Sequence, residues 1–400
     1  MGQDRLDFET RAVHAGVPGD PVDYRPTTPA IHPATTFTGE TVQDTHAALD
    51  ARSSGFVYSR NANPTVRALE TAVADLEGAA EGVAFSSGMA AFHASVLAAT
   101  ADGEPTVLAA RDLYGSSRGL LTGLLRSLGL STHLVDATDP GAVDRAFRET
   151  GASLICFEPI SNPLLRVAPV QRLVEISHSH GARALVDNTF ATPYLLRPLA
   201  LGADLVTHSA TKYLGGHGDV IAGVVICDEE LAVKVREIRT TTGAVLGPFE
   251  AWLVLRGIRT LPLRMRKHCE NAFALARWMA EQTAVRHVHY PTLEGRETGQ
   301  FRDGLGGGMV AVETNLNRAQ VEEFLNRLQV AVPATSLGDV ETLVLYPPLA
   351  SHRSLTEEER LDAGIGEGLI RISVGLEAIE DLFSDFAGAF GSVYTPSASR

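Results

Sequence analysis

The chain has 400 residues, of which 44% are hydrophobic and 20% charged. This composition excludes a disordered protein and is enough for two or three domains with sizeable cores. Its net charge of −14 argues against a nucleic-acid or anionic-membrane partner, so local arginines must draw in any anionic ligand.

No apolar run is long enough to span a bilayer, and Met1-Gly-Gln-Asp-Arg-Leu-Asp7 lacks the apolar core of a secretory signal. A cytoplasmic protein is expected. Cys156, Cys227 and Cys269 are far apart and read as buried free thiols. The pairs His178/His180 and His287/His289 have no third ligand nearby and read as structural.

Residues 1–60 show little periodicity and several prolines, as in an extended arm. A helix follows, with Asn63 as N-cap, Pro64 at its first position, Val66, Leu69, Val73 and Leu76 at helical spacing, and Gly78 as stop. Apolar runs at Thr106–Ala110, Thr132–Val135, Leu154–Phe157, Ala184–Val186, Leu205–Thr207 and Ile221–Cys227 then alternate with helical patterns such as Leu120–Leu128 and Val170–His178. Such runs predict a mostly parallel sheet covered on both faces, with ligands beyond its carboxyl ends. Residues 248–283 predict a long helix broken near Gly257 and Pro262. Beyond it, strands at Gly308–Glu313 and Leu369–Val374 mix with helices at Ala319–Leu328 and Ala378–Phe390, which predicts a smaller α+β domain. The resulting division is an arm over 1–60, a ligand-binding α/β domain over 61–257 and a C-terminal domain over 258–400.

Polar residues follow three successive strands: Glu158, then Asp187 and Asn188, then Ser209, Thr211 and Lys212. A lone lysine beside two hydroxyls and a Gly-rich turn is what an aldehyde cofactor such as pyridoxal phosphate (PLP) requires. The amine forms a Schiff base and the hydroxyls hold the phosphate. Asp187 suits the pyridine nitrogen. Ser86-Ser-Gly-Met89 opens an Ala-rich helix whose free N–H groups suit a phosphate. Tyr114 can stack on the ring and move a proton. Arg371 is a charge inside an apolar strand and needs a carboxylate, from the substrate or from a structural glutamate.

The motifs Tyr58-Ser-Arg-Asn-Ala-Asn-Pro-Thr65, Ser86-Ser-Gly-Met89, Asp112-Leu-Tyr-Gly115, Glu158-Pro-Ile-Ser-Asn-Pro163, Val186-Asp-Asn-Thr-Phe190, His208-Ser-Ala-Thr-Lys-Tyr213 and Arg371-Ile-Ser-Val-Gly-Leu-Glu377 resemble those of the Cys/Met-metabolism PLP enzymes. That family includes cystathionine γ-synthase, cystathionine γ-lyase, methionine γ-lyase and the O-acylhomoserine sulfhydrylases. The resemblance runs from about Thr27 to about Ala387. It implies an aspartate-aminotransferase-like fold (PLP fold type I). It also implies that Lys212 carries the cofactor and shuttles protons, and that Tyr114 assists leaving-group departure. Asp187 would hold the pyridine nitrogen, and Asn162 would meet the ring hydroxyl and the substrate. Ser86, Gly88, Met89, Ser209 and Thr211 would line the phosphate site, which Tyr58 and Arg60 would complete in the neighbouring subunit. Ser336 and Arg371 would orient the amino-acid substrate. A homodimer would then be the minimal active unit, within a homotetramer. Within the family, Thr335, Ser116 and Arg239-Thr240 depart from the residues usual in cystathionine-handling members or methionine γ-lyases. The activity expected is γ-elimination on a γ-substituted L-amino acid, with γ-replacement as the alternative.

Overall fold

The first long helix is determined by its ends. In the computed structural model, Asn63 accepts the Thr65 N–H at 2.9 Å, Pro64 starts helix Pro64–Glu77, and Gly78 closes it at φ +79°. The structure describes residues 6–16, 27–49, 55–101, 105–293, 299–350, 353 and 356–393.

The larger sheet contains β1 (Glu81–Phe85), β2 (Thr106–Ala110), β3 (Ser131–Val135), β4 (Leu154–Phe157), β5 (Arg183–Asp187), β6 (Leu205–Ser209) and β7 (Gly223–Cys227). Their order is β1-β7-β6-β5-β4-β2-β3. From β3 to β6 all neighbours are parallel, whereas β7 is antiparallel to both β6 and β1. The loop over 210–222 contains no crossover helix, so the chain can only turn back. Strand β1 escapes sequence reading because a short apolar run between two helices is ambiguous in period. β4 and β7 are buried along their whole length, as a sheet covered on both faces requires.

The smaller sheet contains β8 (Val285–His289), β9 (Met309–Thr314), β10 (Val332–Pro333), β11 (Leu343–Leu345) and β12 (Leu369–Ser373), in the order β10-β11-β12-β9-β8. Only β10 and β11 pair in parallel. Helices Arg318–Arg327 and Ile379–Val393 pack on this sheet, with Phe324 meeting Phe390 at 4.6 Å and Phe386 at 6.1 Å between ring centroids.

The expected break separates helices Pro248–Ile258 and Leu261–Ala280. The second spans two cores: Leu261, Met265 and Cys269 belong to the larger, and Ala272, Leu275 and Met279 to the smaller. Gly257 has a packing role, because a Cβ there would collide with the carbonyls of Leu214 and Gly215 in the loop after β6. Buried Arg264 fastens the same loop, donating to the Tyr213 carbonyl and to the Gly257 carbonyl, each at 2.7 Å. All three cysteines are buried free thiols. Among the described residues of the first 60 are two short helices, Phe8–Val13 and Val42–Leu49, and the latter buries none of its residues. Parts of the expected arm, at 1–5, 17–26 and 50–54, lie outside the described residues.

Candidate active site

A cavity of about 710 Å³ opens at the carboxyl ends of the parallel strands and faces the smaller sheet. Its wall includes Gly88, Met89, Tyr114, Asn162, Asp187, Ser209, Thr211, Lys212 and Arg371. The two sheets and one helix N-terminus thus bring together residues that span 283 positions of sequence from Gly88 to Arg371 (371 − 88).

Lys212 leaves the sheet just after β6, where its backbone N–H donates to the Ser209 carbonyl at 3.0 Å. Its Nζ donates to Ser336 Oγ at 3.0 Å. Burial pushes the amine below the usual lysine range; Asp339 opposes this and the Arg371 charge adds to it. A lysine so placed supplies a neutral amine more readily than a surface lysine does.

Asp187 ends β5. Its Oδ1 accepts both the N–H (3.1 Å) and the hydroxyl (2.5 Å) of Thr189. Burial pushes this carboxyl upward, while the Thr189 bonds and His208 pull it back. Thr189 Oγ1 also accepts the Ser209 N–H at 2.9 Å, which ties the acid to the hydroxyl turn. Thr189 escaped sequence reading, although Asp-x-Thr is a recognisable side-chain-to-backbone turn.

Across the cavity, Ser87 caps helix Gly88–Thr100 by accepting the Ala90 N–H at 3.2 Å. A Cβ on Gly88 would lie 2.7 Å from Ser209 Cβ, so glycine is what lets the helix end approach the β6 loop. Ser86 is not brought into the wall. It is exposed, and its N–H donates to the Ala244 carbonyl at 3.2 Å, so Ser87 takes the position expected of it.

Tyr114 precedes a short helix, Gly115–Gly119, and a π turn over Leu120–Leu125. Its N–H donates to Glu158 Oε2 at 3.1 Å, which holds the aromatic ring at the cavity edge. Burial pushes the Glu158 carboxyl well above its usual range, and the nearby Asp187 and Asp112 push it further.

Arg371, on β12, is 3% exposed. It donates to Asn162 Oδ1 and to the Ser336 carbonyl, each at 3.1 Å, and its Nε is a buried donor without a partner. Among the described residues no carboxylate lies within ion-pair distance of it. Burial pushes its pKa down to about 10. Ser336 therefore touches both Lys212 and Arg371 and couples the amine to the buried cation.

Tyr58 and Arg60 are not brought to this cavity. Both are exposed, on a turn outside it, and the Arg60 guanidinium lies 5.6 Å from the Tyr58 ring centroid. Phe190, Ile221, Leu337 and Leu349 form an apolar part of the wall, a role that sequence reading assigned to none of them.

A PLP-dependent family model described as Cys/Met metabolism PLP-dependent enzyme matches residues 9–391. The chain belongs to this family. Among curated relatives, the enzyme is 42% identical over 386 residues to a cystathionine β-lyase of Lactococcus lactis, covering 96% of this chain and 98% of that one. It is 41% identical over 389 residues to an L-methionine γ-lyase of Pseudomonas putida, covering 94% and 96%. Among solved structures, a cystathionine γ-synthase of Xanthomonas oryzae pv. oryzae in complex with cystathionine matches with TM-score 0.90 and 35% identity, covering 97% and 98%. The enzyme therefore depends on PLP and has the fold of these carbon–sulfur enzymes.

The residues present fit the cofactor. Lys212 offers an amine depressed by burial. Asp187 Oδ2 has no protein partner among the described residues, while Oδ1 takes both Thr189 bonds. The close approach at Gly88 leaves a helix N-terminus open beside two hydroxyls.

Proposed function

We propose that the enzyme eliminates the γ-substituent of an L-amino acid such as methionine, cystathionine or a related homoserine derivative. The products are a 2-oxo acid, ammonia and the released γ-group. The observation that carries this reading is the coupled set Lys212–Ser336–Arg371, a buried amine and a buried cation without a carboxylate partner at one end of a cavity with an apolar wall.

PLP, when bound, supplies the electron sink that makes first the Cα and then the Cβ proton of an amino acid removable. Lys212, Asp187, Gly88, Met89, Ser209, Thr211, Asn162 and Tyr114 would hold it. Arg371 receives the substrate carboxylate with its unpaired Nε. Ser336 accepts from Lys212 Nζ and so holds the amine towards Cα. Burial lowers the pKa of that amine, which eases its taking the Cα proton and passing one on. Tyr114 stands at the open edge, where its phenol can protonate a departing thiolate. Phe190, Ile221 and Leu337 suit a thioether chain.

A second reading is γ-replacement, in which a thiol attacks in place of water. The likeness to a γ-synthase complex favours keeping it. Both readings place Tyr58 and Arg60 in a neighbouring subunit's site, within a homodimer that pairs into a homotetramer. No helix among the described residues is long and apolar enough to cross a membrane, and the cytoplasm is the proposed location.

The test measures 2-oxobutanoate and pyruvate from L-methionine, L-cystathionine and O-acetyl-L-homoserine, with and without an added thiol. 2-Oxobutanoate without thiol supports γ-elimination. A new thioether amino acid formed only with thiol establishes replacement instead. Pyruvate from cystathionine as the sole 2-oxo acid overturns both in favour of β-elimination.

A further inference from the structure

Arg239 sits in the last turn of helix Glu229–Thr242, outside the cavity, and is buried. Its guanidinium fork holds three separate pieces of chain. Nη1 donates to Glu70 Oε1 at 2.6 Å, on helix Pro64–Glu77, and to the Ala84 carbonyl of β1 at 3.4 Å. Nη2 donates to the Asn61 carbonyl at 2.7 Å. Glu70 is buried as well; its Oε1 also accepts the Ala84 N–H at 3.0 Å, and its Oε2 lies 3.6 Å from Arg67 Nε. A Cβ on Gly82 would collide with the Glu70 carbonyl, which shows how tightly β1 presses on that helix.

Asn61 is the residue after Arg60. Its N–H returns to the Tyr58 carbonyl at 2.9 Å, closing the turn that displays Tyr58 and Arg60 to the outside. The other flank of this turn is also tied down. Ser59 Oγ donates to the Ala34 carbonyl at 2.5 Å, and Asn63 Nδ2 donates to Ser59 Oγ at 3.0 Å and to the His32 carbonyl at 2.9 Å. The Arg239 bond is the tie from the core side. Among the described residues no carboxylate lies within ion-pair distance of Arg60. Its charge therefore faces outward from a turn whose backbone is held rigid.

We infer that Arg239 is a positioning residue for a site it does not touch: through Asn61 it sets the Tyr58–Arg60 turn that completes the phosphate site of a second copy of this chain. This rests on the reading above that the turn serves a neighbouring subunit. The chemistry explains why arginine stands here. A planar fork reaches a carboxylate with one nitrogen and a carbonyl with another, whereas a single ammonium cannot span both. Glu70 supplies the counter-charge that lets the fork stand buried.

The test uses hybrid dimers of the holoenzyme, made by co-expressing two tagged chains. The double variant Glu70→Gln/Arg239→Gln removes both charges together, which avoids leaving a lone buried charge, and the glutamine that replaces Arg239 is too short to reach Asn61. Its secondary structure and melting are checked alone. As a homo-oligomer it is expected to bind PLP about ten-fold or more weakly, the scale of losing a hydrogen bond to a charged donor. It is then paired with Lys212→Ala. In the hybrid, the only site with a lysine lies in the double-variant chain, and an intact turn from the Lys212→Ala chain serves it. Recovery of PLP retention, and of the absorbance of lysine-linked cofactor, is the expected result. Arg60→Ala paired with Lys212→Ala is the control. If Arg60→Ala recovers in the hybrid and the double variant does not, Arg239 acts within its own subunit and the inference is wrong. If Arg60→Ala does not recover either, the neighbouring-site reading fails and the inference falls with it. Unchanged PLP affinity in a folded double-variant homo-oligomer also overturns it.

Discussion

Replacing Arg371 with methionine separates the cost of a buried cation from its use. Burial pushes the pKa of Arg371 down to about 10, well below the usual guanidinium range. At about 1.4 kcal/mol per unit, keeping it charged costs folding about 3 kcal/mol. Two bonds offset this cost, one to Asn162 Oδ1 and one to the Ser336 carbonyl. Removing their donor costs about 1–3 kcal/mol for each acceptor stranded. The terms oppose one another, so Arg371→Met should shift unfolding by no more than about 3 kcal/mol in a urea titration of the holoenzyme. Binding should respond differently. Truncating one side of a buried carboxylate–guanidinium pair costs about 2–5 kcal/mol, or about thirty-fold and upward in affinity. L-norleucine, an unreactive methionine isostere, and pentylamine, the same chain without a carboxylate, report this directly as competitive inhibitors. The wild type should prefer norleucine by at least about thirty-fold. Arg371→Met should bind the two nearly equally, with pentylamine little changed from wild type. Should the variant keep the wild-type preference for norleucine, the carboxylate is anchored elsewhere and the reasoning about the unpaired cation fails.

Gly88→Ala forces a Cβ to within 2.7 Å of Ser209 Cβ, so PLP affinity should fall about ten-fold or more when apoprotein is titrated with cofactor; wild-type affinity would show that the helix end does not cradle the phosphate. Tyr114→Phe keeps the ring face but loses the phenol, so thiol release should slow about a hundred-fold while the cofactor spectrum stays unchanged; an unaltered rate removes the acid role. His268 is fully buried, donates from Nδ1 to the Val374 carbonyl at 2.6 Å, and has its pKa pushed down to about 4 by burial. Below pH about 6.5 the unfolded chain takes up a proton that the folded chain refuses, so stability should fall by about 3 kcal/mol as pH drops from about 6.5 to about 4. The difference in urea midpoint between wild type and His268→Gln, followed over that range, should carry this slope, and a pH-independent difference would refute it.

The local elements were legible because they depend on neighbours in sequence. Asn63, Pro64 and Gly78 delimit a helix by cap chemistry alone, and β2, β4 and β6 are short apolar runs that alternate with helical patterns. Lys212, Asp187 and Arg371 were legible as chemistry because each is a charged type just after, at the end of, or inside an apolar strand, and Tyr114 because of the motif around it. What sequence did not determine is pairing over distance. The reversal of β7 depends on a loop without a crossover helix, and the choice of Ser87 over Ser86 depends on which residue the helix axis places at its cap. Arg239 shows the same division. By sequence it was only a departure at a position where relatives differ. Packing of helix Glu229–Thr242 against β1 and helix Pro64–Glu77 turned it into a buried fork between Glu70 and Asn61. Residue types declare which chemistry is possible, because charge, hydrogen bonding and backbone preference are local. Only tertiary structure decides which groups meet and which are left unpaired, because burial and distance belong to the whole chain.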